Sequence, residues 1–317
     1  MRKLWIVYLS VMFVFSGLYA DVVNKDEIKK VKKIAVISFY STKKIMCWEP
    51  KRGSTNVNDY MVKDPAQSDA PAGWKGVKQS ETDLNALCQT ALAIYQDSLA
   101  KAGYWEVVPF DKIKDNAAYK TPVEVTEVHE NLSMTMMRSV GKGGKSSGAP
   151  TPEPKRMSEA EYKVLYRVAE GMRCLPADMF REAGTTRFGG NDPYQNEKKA
   201  LGDICKGLGI DGVAIISFNP MFKYGSWARL KVGEYVKASP RVRATFVVLG
   251  SDGKVAAETG EIVNKLGWDY EGPTVNMIKS DELMLADKDM KDGFAATIQE
   301  SAGRLKEILS KEFSKIK

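Results

Sequence analysis

Histidine is almost missing from this chain: His129 is the only one in 317 residues. Ser-His-Asp or Cys-His catalysis would have to use it, and it lies among polar residues in an expected loop. Histidine-rich zinc sites are excluded by the count alone. Cysteine is scarce as well. Cys47, Cys88, Cys174 and Cys205 are the full set, and no two have CxxC spacing, which argues against a redox motif or a zinc knuckle. Beyond the first twenty residues no apolar run is long enough to span a membrane as a helix. A one-signed charge stripe is also lacking. The net charge is +7, two units of it from Arg2 and Lys3, and lysines alternate with acids, so the charge reads as a solvated surface and nucleic acid is not an expected partner.

What is present begins with a leader. Arg2 and Lys3 precede an apolar run from Leu4 to Phe15, and small residues follow up to Ala20. That order predicts a secretory signal peptide over residues 1–20, cleaved between Ala20 and Asp21. No cysteine follows the cleavage point to carry a lipid. In an oxidising compartment four cysteines suggest two disulfides, with three connectivities. Cys47 follows the first expected strand and Cys88 lies on the next helix, while Cys174 follows an insertion helix and Cys205 lies on the helix entering the core. The pairs Cys47–Cys88 and Cys174–Cys205 are therefore expected. The alternative is that Cys88 and Cys205 are small buried residues on helix faces.

Hydrophobic periodicity sets out the elements. Lys32–Tyr40 reads as a strand, and Cys47–Ser80 as a long loop rich in Gly, Pro, Asn and Asp. Leu84, Leu87, Ala91, Tyr95 and Leu99 recur at helical spacing, with Asp83 as the expected cap and Gly103 as the stop. Tyr104–Phe110 is a short strand ended by Pro109. Gly141–Pro154 is nearly devoid of apolar residues and reads as a linker. Ser158 and Glu161 form a capping box before a helix expected to close near Gly171. Another helix, expected to start near Asp192-Pro193, places Leu201, Ile204, Cys205 and Leu208 on one face. It gives way at Gly209-Ile210-Asp211-Gly212 to the apolar strand Val213–Phe218. Arg241–Leu249 alternates, Gly250–Gly253 is a turn, and Lys254–Val263 returns beside it. Phe294, Ile298, Ala302, Leu305, Leu309, Phe313 and Ile316 make one stripe of a closing helix over Gly293–Ile316.

The order is β-α-β, an insertion, then α-β-β-β-α. It predicts one α/β domain over 21–317, a mixed sheet covered by helices, with a loop insertion at 47–80 and a second insertion at 114–190. The stretches "KKIAVISF", "SLAKAGYWEVVPFDKI", "ICKGLGIDGVAIISF" and "VRATFVVLGSDGKVAAETG" carry a resemblance to the CsgG-like, LpoB-like and TolB amino-terminal domain group of bacterial envelope proteins. Gly209, Asp211 and Gly212 occupy its helix-to-strand junction and Asp252-Gly253 its hairpin turn. The resemblance implies a periplasmic or outer-membrane-associated protein that works by contact with another envelope protein, without cofactor or metal. It leaves homo-oligomerisation open, and the alternatives are a secretion-pore subunit or a cell-wall hydrolase using two carboxylates.

Chemical motifs fail at particular positions. "GKGGKSSG" lacks the first glycine of a phosphate loop, since Ser139 stands there, and no strand precedes it. Counting from Asp287 as the first position, "DKDMKDG" has Asp292 where a calcium loop needs glycine and Ile298 where it needs glutamate. The strand candidates for a membrane hairpin, Pro122–Val128 and Leu132–Val140, are short and interrupted by charge. Trp48 and Trp74 stand out in the polar 47–80 segment. They read either as loop anchors folded over the sheet or as a partner-binding patch.

Overall fold

The structure is a computed structural model, and it describes residues 22–50, 60–63, 76–127, 155–181, 194–223, 235–263, 275–278, 282–284 and 288–316. The early strands are β1 (Val22–Val23), β2 (Lys33–Thr42), β3 (Met46–Pro50), β4 (Tyr60–Lys63), β5 (Gly76–Lys78), β6 (Glu106–Val108), β7 (Glu124–Glu127), β8 (Lys155–Ser158) and β9 (Tyr166–Val168). The later ones are β10 (Gly212–Lys223), β11 (Tyr235–Gly250), β12 (Val255–Val263), β13 (Val275–Ile278) and β14 (Glu282–Met284). The helices are α1 (Lys25–Ile28), α2 (Glu81–Lys101), α3 (Ala117–Lys120), α4 (Glu159–Leu165), α5 (Ala177–Phe180), α6 (Gln195–Leu208) and α7 (Lys288–Ser314).

The main path through the sheet is β1-β12-β11-β10-β2-β6. β2 runs parallel to β10 and β6, whereas β11 is antiparallel to both β10 and β12. This is the mixed sheet expected from the β-α-β and α-β-β-β-α order. Strand alternation divides its side chains between two cores. Ile34, Val36 and Phe39 join Ile216, Phe218 and Phe246 beneath α2 and α7. Ala35, Ile37 and Tyr40 join Ile215, Val247 and Leu249 on the opposite face, with Leu201, Ile204 and Cys205 of α6. Each core is fed by a helix stripe of matching period, so the layers are helix, sheet, helix.

The junction from Gly209 to Gly212 explains how α6 hands over to β10. Gly209 takes φ +66, a left-handed cap that costs glycine little. Its N–H and that of Ile210 donate to the carbonyls of Lys206 and Cys205, which would otherwise end the helix unpaired. Asp211 then fastens the neighbouring strand. Its Oδ2 accepts from the N–H groups of Lys32 at 3.0 Å and Lys33 at 2.9 Å, and its own N–H donates to the Lys33 carbonyl at 2.8 Å. Its carbonyl accepts from Ser251 N–H at 2.9 Å, in the β11–β12 turn. One aspartate thus ties together a helix end, a strand start and a hairpin.

Several local expectations change. Ser80, not Asp83, is the N-cap of α2. Asp83 sits three residues in, donating its N–H to Ser80 Oγ and accepting from that hydroxyl at 2.6 Å. The capping box at Ser158 and Glu161 forms, but α4 stops at Leu165 instead of near Gly171. Tyr166–Val168 pairs antiparallel with Tyr40–Thr42, so a vacant sheet edge overrides helical spacing in a short β-prone run. The 47–80 segment contributes β4 and β5 and most of β3, so it is not wholly loop. α7 starts at Lys288, five residues before the expected Gly293.

The expected disulfides are not formed. Cys88, Cys174 and Cys205 are free and buried. Cys88 belongs to the core under α2, so the Cys47–Cys88 link is overturned by its free thiol. Cys174 and Cys205 share the opposite core yet remain unbonded. Their burial follows from packing: each occupies a position where a small apolar side chain fills the layer. The structure favours the alternative given above for Cys88 and Cys205.

Candidate functional site

The insertion between β6 and α6 is stitched to the centre of the sheet. β2 carries an irregularity: Ala214 pairs with Val36 but Ile215 pairs with Ser38, leaving Ile37 over. The Ile37 carbonyl accepts from Arg173 N–H at 3.2 Å and from Tyr119 Oη at 3.3 Å. Ser38 Oγ accepts from Leu175 N–H at 3.0 Å, and Tyr40 Oη accepts from Ala177 N–H at 2.9 Å. Arg173 completes the attachment. Its Nη2 donates to Glu159 Oε2 at 2.8 Å and to the Thr121 carbonyl at 2.8 Å, and its Nη1 donates to the Tyr119 carbonyl at 3.2 Å. The expected polar insertion at 114–190 therefore supplies buried packing, including Tyr119, Tyr162, Leu175 and Phe180.

The stitching presents two kinds of backbone at one end of the sheet. β10 leaves β2 after Ser217 and takes β3 as its parallel neighbour from Met221. β11 pairs with β12 as far as Arg243, while its earlier residues Tyr235–Ala238 pair with β13. Past the end of β2 the strand order becomes β4-β3-β10-β11-β13, built largely from inserted segments. β9 lies at the same end of β2, since Tyr166 pairs with Thr42 and only Lys43–Ile45 separate Thr42 from β3.

Arg167 locks β9 to α2. Its guanidinium is buried and donates to Asn85 Oδ1 and, at 2.9 Å, to Glu81 Oε1. The Arg167 hydrogen bond and charge hold the Glu81 carboxyl below the usual carboxylate range. Across β10, Asn219 Oδ1 accepts from Thr42 N–H at 3.2 Å and its Nδ2 donates to Ser217 Oγ at 3.2 Å. These polar groups brace the end of the sheet.

The thiols do not form a reactive centre. Burial pushes Cys88, Cys174 and Cys205 up to about 12, with a Ser41 hydrogen bond opposing the shift at Cys88. The thiolate is the nucleophile, so these sulfurs are inert near neutral pH. At pH 8 the native protein should leave all three unreacted with a thiol reagent, whereas denaturant should release them. A fast-reacting native thiol among the three would contradict their packing, as read by peptide mapping of the labelled protein. The raised values also mean that neutral thiols favour the fold. That contribution is complete below about pH 8.5, the unfolded value, and is lost as pH climbs toward 12.

Trp48 lies on β3, its backbone paired with Lys223 of β10 and Val62 of β4. It belongs to the outer end of the sheet, not to a free loop. Trp74, His129, the leader over 1–20, the linker Gly141–Pro154 and the start of the "DKDMKDG" stretch lie outside the described residues. Of the two membrane-hairpin candidates, Pro122–Val128 supplies β7, which pairs with β8, and Leu132–Val140 lies outside the described residues. Among the described residues no group of three or more His, Cys, Asp or Glu side chains could hold a metal, and no helix is long and apolar enough to cross a membrane. The extra strands at the outer end had only a faint signal in the sequence, single β-prone residues such as Trp48, Tyr60 and Val62, too sparse to stand out from turn-rich surroundings. Comparison with protein-family models, curated proteins and solved structures finds no match to this chain.

Proposed function

We propose that the protein is an exported, non-catalytic adaptor of the cell envelope, acting by contact with another envelope protein. The observation that carries this is the outer end of the sheet. Inserted strands β3, β4 and β13 extend it past the end of β2, on a base braced by Arg167, Asn219 and the Arg173 clamp. A rigid scaffold that displays inserted segments suits recognition, because little order is lost on binding. The named polar groups point into structural bonds, and the three thiols are held protonated, which fits a contact role better than a nucleophilic one. The element order resembles the CsgG-like, LpoB-like and TolB amino-terminal domain group, and that likeness points to the same kind of work in the periplasm or at the outer membrane.

The test begins with a partner identified by crosslinking in intact envelopes. Trp48→Ala and Trp74→Ala should each weaken capture of that partner by about 1 kcal/mol or more if both act as hot spots. Melting temperature is followed in parallel, since a loop anchor would lose stability instead. Normal capture by both variants, or turnover of a cell-wall polymer by the purified protein, would overturn the proposal.

A further inference from the structure

Strand β9 is short for the place it holds. Its residues Tyr166, Arg167 and Val168 pair with Thr42, Ser41 and Tyr40 of β2. β10 follows β2 only as far as Tyr40, so among the described residues β9 is the one strand paired with Ser41 and Thr42. The same residues continue the helical spacing of α4, which ends at Leu165. They suit either state, and pairing with β2 decides between them.

The lock on β9 is incomplete. Strand alternation puts Tyr166 and Val168 on one face and Arg167 on the other. Tyr166 meets Tyr40 edge-on, with ring centroids 5.1 Å apart, and Val168 packs partly buried against the sheet. Arg167 is buried and donates from Nη1 to Asn85 Oδ1 and from Nη2 to Glu81 Oε1, two exposed residues at the start of α2. Its Nε is buried without a hydrogen-bond partner among the described residues, a cost that the paired state bears and a displaced β9 does not. Lys43 also acts on Glu81, but less strongly than Arg167 does.

The flanks of β9 are held independently. Arg173 bonds Glu159, so residues 160–172 form a loop closed by that ion pair. The Ser158–Glu161 capping box fixes the start of α4, and the N–H groups of Leu175 and Ala177 donate to Ser38 Oγ and Tyr40 Oη. β9 can therefore leave β2 while both ends of its loop stay attached. Its departure uncovers a strand edge with an aromatic contact at Tyr40 and two acceptors at Glu81 and Asn85.

We propose that β9 is a displaceable internal strand, and that a partner docks by laying an apolar–basic–apolar strand on the same edge of β2. This deepens the adaptor reading and rests on it. The partner's basic residue takes the place of Arg167 on Glu81 and Asn85, its apolar neighbours take those of Tyr166 and Val168, and main-chain pairing with Ser41 and Thr42 supplies the rest.

The test uses the full chain and a labelled peptide with the sequence of residues 164–170, VLYRVAE, read by fluorescence anisotropy. The internal strand competes at high effective concentration, so the parent should bind the peptide weakly. Arg167→Ala removes the lock and should bind it about tenfold more tightly, because the open edge is then more populated. The same peptide with its arginine replaced by alanine should bind that variant several-fold more weakly. Thr42→Cys/Tyr166→Cys places two thiols on paired residues of β2 and β9. Its oxidised form should lose peptide binding, and dithiothreitol should restore it, so this arm decides the matter if Arg167→Ala fails to fold. Hydrogen exchange on the unaltered chain gives a further reading. The Ala169 N–H, bonded to the Phe39 carbonyl at 3.0 Å, should exchange faster than the Leu175 N–H. No gain in binding by a folded Arg167→Ala, equal binding by the oxidised and reduced double variant, or equal exchange at Ala169 and Leu175 would overturn the proposal. No arm needs the envelope partner. Partner capture without peptide binding sinks strand displacement alone, and peptide binding without any envelope partner sinks the adaptor reading alone.

Discussion

Replacing Arg173 with alanine should cost about 3–5 kcal/mol of stability, the range for removing one partner of a buried ion pair. Its side chain is 5% exposed and that of Glu159 is 16% exposed, so solvent can replace little of what is lost. The truncation strands a carboxylate that also accepts from Cys174 N–H at 3.2 Å, and it deprives the Tyr119 and Thr121 carbonyls of their donor. The damage should centre on the insertion. Residues near Tyr119, Glu159 and Leu175 should lose hydrogen-exchange protection before α2 and α7 do. Denaturant unfolding of Arg173→Ala, Glu159→Ala and the double variant measures the coupling. The double variant should lose clearly less than the two single losses added together, because removing both partners leaves no uncompensated charge. A single-variant loss under about 1 kcal/mol would show that the clamp is not structural.

A comparison of two glycines should give the next largest effect. Gly209 and Gly253 both have positive φ, +66 and +80. At Gly209 an added Cβ meets nothing within 4 Å, so alanine should cost only the left-handed backbone penalty, about 1–2 kcal/mol. At Gly253 the same atom would lie 2.8 Å from the Lys198 carbonyl oxygen on α6. Helix backbone cannot yield as a flexible side chain can, so overpacking of about 1–3 kcal/mol adds to the same penalty. Gly253→Ala should therefore unfold at least 1 kcal/mol more easily than Gly209→Ala, a difference set by the added overpacking term. Gly202 makes the reciprocal approach from the helix, where an added Cβ would lie 2.7 Å from the Ser251 carbonyl oxygen. The turn and α6 are in backbone contact, and equal losses for the two variants would refute that.

Long elements with an unbroken period were legible in the sequence. The α2 stripe through Leu84, Ala91, Tyr95 and Leu99 and the α7 stripe through Phe294, Ile298, Leu305 and Leu309 are buried as spaced. The hairpin at Gly250–Gly253 and the stop at Gly209 also stand where turn chemistry put them, since those signals are local. Tyr166–Val168 was missed because three residues continue a helical pattern as well as a strand pattern. Only the open edge beside Tyr40–Thr42 distinguishes them.

By itself, then, the sequence determined the layered α/β architecture: apolar periods of two and of 3.6 specify which faces must be buried, and glycine and capping residues specify where the elements stop. The tertiary structure alone decided three matters. It left Cys88, Cys174 and Cys205 as free core thiols, because pairing depends on the approach of two sulfurs, which no spacing along the chain encodes. It turned the described parts of the 114–190 insertion into core, because the Arg173 N–H and the Tyr119 hydroxyl both donate to the Ile37 carbonyl at the irregularity in β2. It gathered β3, β4, β9 and β13 at one end of the sheet, because strand pairing joins residues far apart in sequence and is settled only when the neighbouring edges are in place.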